Sequence, residues 1–190
     1  MDAQFVEVLL SPVVLALLGL CIGSFINVVV HRLPIMLERG WRRDSSEMLG
    51  VKIDVPEELT LSRPRSRCPA CGHGISWAQN IPVLSYLWLR GRCAACRSPI
   101  SPRYPLIEIL TGTLFGVIGW RFGATPESLL WCGFAAVLVT LAGIDWDTTL
   151  LPDDLTLPLL WAGLVASALG WTIPVPEALW GAVVDRKSVV

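Results

Sequence analysis

Val8-Leu-Leu-Ser-Pro12-Val-Val-Leu-Ala-Leu17-Leu-Gly-Leu-Cys21-Ile-Gly-Ser-Phe-Ile-Asn27-Val-Val-Val30 runs its whole length without one charged side chain. A helix needs about 20 predominantly apolar residues to cross the hydrocarbon of a bilayer, and this run supplies them. An N-terminal apolar run can also be a cleaved secretory signal, which carries positive charge ahead of its apolar core. Here the order is reversed: Asp2 and Glu7 precede the run, and Arg32, Arg39, Arg42 and Arg43 follow it. The reading is an uncleaved anchor with its N-terminus outside. The stretches 128–144 and 155–176 are likewise uncharged, and 104–120 is interrupted only by Glu108. Residues 178–184 read as the first turns of a fifth helix, and 185–190 as a divergent tail. No internal repeat is apparent.

Composition agrees. Of 190 residues, 53% are hydrophobic and 16% charged, the mean hydropathy is +0.58 and the net charge is -1. Ordinary soluble domains carry roughly 25% charged residues, so a soluble globule is excluded, as are a disordered chain and a nucleic-acid binder driven by net charge. The charges are segregated. Residues 31–103 hold 12 of the 15 basic and 6 of the 16 acidic side chains. The excess of basic residues puts this insert in the cytoplasm, with the helices alternating from there and the 145–154 loop on the same side. Trp120, Trp131, Trp146, Trp171 and Trp180 fall near expected helix ends, as an aromatic belt would place them. The expected fold is an all-α polytopic membrane protein: helix 1 over 8–30, a cytoplasmic insert over 31–103, and helices 2 to 4 with the start of a fifth over 104–184.

Inside the insert, Cys68-Pro-Ala-Cys71 and Cys93-Ala-Ala-Cys96 form two C-x-x-C pairs within one short segment. Two such pairs suit a tetrahedral four-thiolate zinc site, and a reducing cytosol disfavours the alternative of two disulfides. With four protein ligands the zinc has no open position for substrate, so its expected work is to fold a ribbon-like domain, with short strands around its knuckles, that is too small to hold itself together. His73, beside the first knuckle, reads as a surface residue. Cys21 and Cys132, within apolar segments, read as small packed hydrophobes.

The second chemical signal is Asp145-Trp-Asp147-Thr-Thr-Leu-Leu-Pro152-Asp153-Asp154, four carboxylates and no base on the side where basic residues gather. Asp153 or Asp154 can be explained as the N-cap of the next helix. Asp145 directly ends an apolar run, at the bilayer edge, where a carboxyl with a raised pKa is easy to arrange. Such a carboxyl is half of an aspartic protease, whose chemistry needs two sharing one proton.

With these stretches in view, the sequence resembles the type IV prepilin leader peptidase/N-methyltransferase family of bacterial inner membranes. Gly23-Ser-Phe-Ile-Asn27-Val-Val-Val-His31-Arg-Leu-Pro34, the paired cysteines, Arg103-Tyr-Pro-Leu-Ile-Glu108, and Ile144-Asp145 through Leu151-Pro152-Asp153 carry the resemblance. It implies a multi-pass inner-membrane aspartic endopeptidase with a periplasmic N-terminus. Such an enzyme cleaves prepilins or pseudopilins after a glycine and then methylates the new N-terminus with S-adenosylmethionine. The family's first catalytic aspartate falls on Asp145, with Asp153 in a supporting role. The family's second lies in a Gly-x-Gly-Asp motif, which these residues do not contain; the only aspartate after Asp154 is Asp185. The expectation is therefore an N-terminal fragment. The competing reading is a membrane-anchored zinc-ribbon module for interaction or assembly, without catalysis.

Smaller features have two readings each. Glu108, an acid at the cytoplasmic mouth of a helix, either supports the site or makes an interfacial pair. Asn27, Ser24 and Gly23 either line a cavity or pack helices. Arg39, Arg42 and Arg43 beside Trp41 suit contact with lipid headgroups rather than nucleic acid.

Overall fold

A computed structural model describes residues 3–51 and 59–185. The chain forms two compact units, residues 1–150 and 151–190. In the first, α1 (Ala3–Leu9) leads into α2 (Pro12–Leu49). Ser11 caps α2 by accepting from the Val14 N–H at 3.5 Å, and Pro12, which has no N–H to lose, opens its first turn. The polar insert follows, with a single 3-10 turn (Ala78–Asn80) and the short helix α3 (Leu84–Trp88). Helices α4 (Arg103–Phe122) and α5 (Pro126–Thr148) complete the unit.

Helices α2, α4 and α5 are long and apolar enough to cross a membrane. The expected class holds, but the details differ at three places. First, α2 does not stop at Val30. It runs to Leu49, roughly 57 Å in all, so residues 31–49, assigned to the insert, continue the first helix. Pro34 removes one backbone donor without ending it; the stop is Gly50, at φ 64°, whose N–H and that of Val51 return to the carbonyls of Glu47 and Ser46. Second, in the 151–190 unit the 155–176 stretch is not one span. Helix α6 (Asp153–Ala168) has 16 residues, and left-handed Gly170 and then Pro174 separate it from α7 (Val175–Asp185). The absence of charge says nothing of those breakers. Third, among the described residues there is no strand: those expected around the knuckles are two isolated antiparallel bridges, Arg67 with Gly74 and Arg92 with Pro99. Of the 185–190 tail, residues 186–190 lie outside the described residues.

Helices α2 and α4 run antiparallel in the closest packing of the unit, with α5 against both. Gly19 on α2 meets Gly112 on α4, while Gly23 faces the Glu108 backbone and Gly116 faces Ala16. A Cβ on Gly19 would lie 2.7 Å from the Thr111 carbonyl oxygen, and one on Gly23 2.7 Å from the Glu108 Cα. Hydrocarbon offers no hydrophobic drive between helices, so backbone approach through small residues is what holds such a pair. Polar groups in the seam are satisfied locally: Thr111, Thr140 and Ser128 donate to carbonyls three or four residues back. Asn27 donates to its own helix at Gly23 and across to the Tyr104 carbonyl, both at 3.1 Å. Both helix-packing readings, for Gly23 and for Asn27, are therefore met. At the other end Leu10, Leu15, Phe115 and Cys132 form a buried cluster, whereas Cys21 is exposed on α2.

Candidate functional site

Two contacts among the described residues fasten the insert to the helices. Arg32 on α2 spreads its guanidinium over three carbonyls of the incoming chain, Thr60 at 2.9 Å, Leu61 at 3.3 Å and Pro64 at 2.8 Å. On α4, buried Glu108 accepts the Val83 N–H at 2.7 Å. Beside the two readings of Glu108, the structure thus shows a third contact: it receives a backbone donor from the insert, one turn inside the helix.

Between these fastenings the two knuckles repeat each other, Arg67 falling on Arg92. Arg67-Cys-Pro-Ala-Cys-Gly-His-Gly-Ile-Ser76 corresponds to Arg92-Cys-Ala-Ala-Cys-Arg-Ser-Pro-Ile-Ser101, six identities in ten. The hydrogen bonds repeat with it. Cys68 N–H donates to the His73 carbonyl as Cys93 does to Ser98, and Ile75 donates to Ser66 as Ile100 does to Gly91. The residue after each second cysteine, Gly72 or Arg97, has positive φ, 71° or 58°. This corrects the expectation of no internal repeat. The unit is too short to stand out along the chain and is legible only when the two cysteine pairs are laid over each other.

The result is that Cys68, Cys71, Cys93 and Cys96 converge, all four sulfurs within 4.8 Å of one another. The edge of a tetrahedron with metal–sulfur bonds of about 2.3 Å is about 3.8 Å. Cys68 Sγ and Cys96 Sγ are 3.8 Å apart, and no cysteine is in a disulfide. The set can hold a metal ion. Cys68 is pulled down to about 6 by the N–H groups of Cys71 and Ala70 and by the Ser98 hydroxyl. Cys96 is lowered too, chiefly by Ser98, 3.3 Å away. Cys71 goes the other way, to about 11: the His73 N–H lowers it, but desolvation and the sulfurs of Cys96, Cys68 and Cys93 outweigh that. Four sulfurs this close cannot all ionise alone, and a dication removes the conflict. His73 is exposed and outside the cluster, as expected.

Asp145 lies inside the last turn of α5, not in a loop after it. Trp146, Asp147 and Thr148 continue the helix, Thr148 donating to the Ile144 carbonyl, and left-handed Thr149 ends it by donating its N–H to the Asp145 carbonyl at 2.8 Å. Asp145 is exposed, and its carboxylate has no hydrogen bond or ion pair with the described residues. Its neighbour Asp147 is held by Arg103, which also donates to the Gly143 carbonyl at 3.1 Å. Arg103 thus supplies a cation at a helix C-terminus that otherwise carries two acids. In the other unit, Asp153 and Asp154 occupy the first turn of α6, exposed, where acids suit the dipole. The cap position itself belongs to Pro152, not to either aspartate. The sequence reading missed the clasps of Arg32 and Arg103, whose signal was an arginine near each end of the expected insert, 31–103.

Residues 17–122 match the family model described as the bacterial peptidase A24 N-terminal domain, and residues 132–185 match that of the type IV leader peptidase family. Among curated proteins, the prepilin leader peptidase/N-methyltransferase of Pseudomonas putida is 50% identical over 90% of this chain and 60% of its own length. That of Neisseria gonorrhoeae is 47% identical over 92% and 62%, and that of Pseudomonas aeruginosa 47% over 91% and 60%. The chain therefore spans about 60% of the length of the curated relatives it matches. No solved structure matches it.

Proposed function

Because the chain belongs to the prepilin leader peptidase/N-methyltransferase family, we propose that it supplies the first half of a membrane-embedded aspartic endopeptidase acting on type IV prepilins or pseudopilins. The observation that carries this reading is Asp145: exposed, free of partners among the described residues, and presented on the last turn of a membrane-length helix. A prepilin has its cleavable bond where a basic leader meets an apolar helix, so a carboxylate at the bilayer edge stands at the right depth. In the proposed reaction Asp145 and the aspartate of a Gly-x-Gly-Asp segment share one proton. The ionised carboxyl takes a proton from the attacking water, and the protonated one donates to the scissile carbonyl. Arg103 holds the turn that carries Asp145, and Asp153 keeps the supporting role that the resemblance gives it. The protein then lies in the bacterial inner membrane with its N-terminus periplasmic and the insert and Asp145 on the cytoplasmic side, where basic residues concentrate.

We take the four cysteines to bind one zinc ion, since four thiolates at tetrahedral spacing are its usual structural site. When bound, zinc ties the two knuckles and fixes the path from Arg32 to Glu108. The second half of the relatives' name implies methylation of the new N-terminus, with S-adenosylmethionine as donor. The experiment joins the chain to a Gly-x-Gly-Asp segment of the family and reads leader removal from a prepilin by mass. Cleavage that Asp145→Asn abolishes is expected. Cleavage that survives the substitution removes Asp145 from the chemistry.

A further inference from the structure

We propose that α3 lies in the headgroup layer of an anionic membrane surface, with Leu84, Leu87 and Trp88 turned toward the acyl boundary. These three residues sit at i, i+3 and i+4, one face of the helix, and are 65%, 65% and 79% exposed. Trp77, just upstream, is 80% exposed. An apolar face this open on a polar insert calls for something to cover it.

Its depth identifies what that is, on the reading of α4 as a membrane span. The Val83 N–H, at the start of α3, is bonded to Glu108, five residues along α4 from Arg103 and so about 7.5 Å in from the helix start. Interfacial helices bury their apolar face about 5–10 Å into the headgroup and acyl boundary, the same level. The attachment is costly in backbone terms. Val83 stands at φ 58°, ψ -48°, with the Leu84 N–H on the Pro82 carbonyl, a tight turn that a β-branched residue adopts only under constraint. That turn, with its Val83 N–H on Glu108, ties the start of α3 to α4.

Charge selects the kind of surface. Between Glu58 and Glu108 the chain carries seven arginines and no acidic residue. Arg90 stands two residues past α3, and Arg65 and Arg67 line an open depression with Trp77. Basic side chains at this depth meet the phosphates of anionic lipids, while tryptophan favours the same layer.

The test is depth-resolved quenching of the chain reconstituted in phosphatidylglycerol and phosphatidylethanolamine vesicles with brominated acyl chains. The signal is the emission lost on Trp88→Phe, a change that keeps an aromatic ring on the helix. That component should be quenched about twofold more by bromines high on the chain than by bromines near its end, and be sheltered from aqueous acrylamide. Quenching by acrylamide without quenching by bromolipid overturns the proposal, because α3 then faces water. Shelter from both also overturns it, since α3 is then covered by protein, such as a second copy. Trp120, near the far end of α4, tests the premise separately: if bromines at neither depth quench the emission lost on Trp120→Phe, α4 is not a span.

Discussion

Arg103, the first residue of α4, donates from one guanidinium nitrogen to the Asp147 carboxylate and from the other to the Gly143 carbonyl at 3.1 Å, closing the last turn of α5 around Asp145. The pair is over a third exposed, so its worth to stability is at most about 1 kcal/mol. Its worth to geometry is larger. In the protein completed by a Gly-x-Gly-Asp segment, Arg103→Ala should slow leader removal about tenfold while metal content stays unchanged. Arg103→Lys keeps the charge without the fork and should fall between. Undiminished cleavage by the alanine variant would mean that the turn holds itself.

The glycine seam predicts a sharp contrast between two substitutions of the same kind. A Cβ at Gly23 would press on the Glu108 backbone, whereas one at Gly133 meets nothing within 4 Å. Gly23→Ala should lower the thermal unfolding midpoint in detergent, by the equivalent of about 1–3 kcal/mol, and Gly133→Ala should not. Equal midpoints would show that α2 and α4 do not pack through this face.

Metal affinity should depend on pH in a stated direction. With its thiol at about 11, Cys71 is protonated in the metal-free protein below that pH and must release its proton when metal binds. Protons then compete with metal, so affinity rises with pH until Cys71 ionises by itself. A competitive chelator titration with zinc should give at least about tenfold tighter binding at about pH 8 than at about pH 7. Cys71→Ser should weaken binding, and Cys21→Ser should change neither the affinity nor its slope. An affinity independent of pH would contradict the four-thiolate set.

The two knuckles differ where their backbones agree. Both need a left-handed residue after the second cysteine, which Gly72 provides without strain and Arg97 does not. Arg97→Gly should slow metal release to a chelator, reflecting a gain of up to about 1 kcal/mol, whereas Gly72→Ala should hasten it by a similar amount. The same change in both would break the equivalence of the halves.

What the sequence made legible was whatever depends on local pattern. Apolar runs marked three helices of membrane length, and the cysteine spacing marked a cluster whose sulfurs do converge. Boundaries escaped because charge and backbone breaks are separate things. Gly170 and Pro174 divide a stretch that hydropathy reads as one, while the charges after Val30 end the apolar run without ending the helix, which continues to Gly50. The clasps escaped for another reason. Arg32 reaches Thr60, Asn27 reaches Tyr104 and Val83 reaches Glu108 across 28, 77 and 25 residues, and no periodicity announces a bond between such distant positions. Asn27 and Glu108, motif residues with a site reading each, also fasten the helices and the insert together.

The most direct measurement of the account compares the chain carrying a Gly-x-Gly-Asp segment, with and without Asp145→Asn, on a prepilin substrate in detergent, following leader removal by mass. Both proteins should fold and bind the same amount of zinc. The account predicts cleavage by the first and none by the second. Cleavage by both would contradict it, leaving Asp145 as an exposed helix-end acid with no part in the reaction.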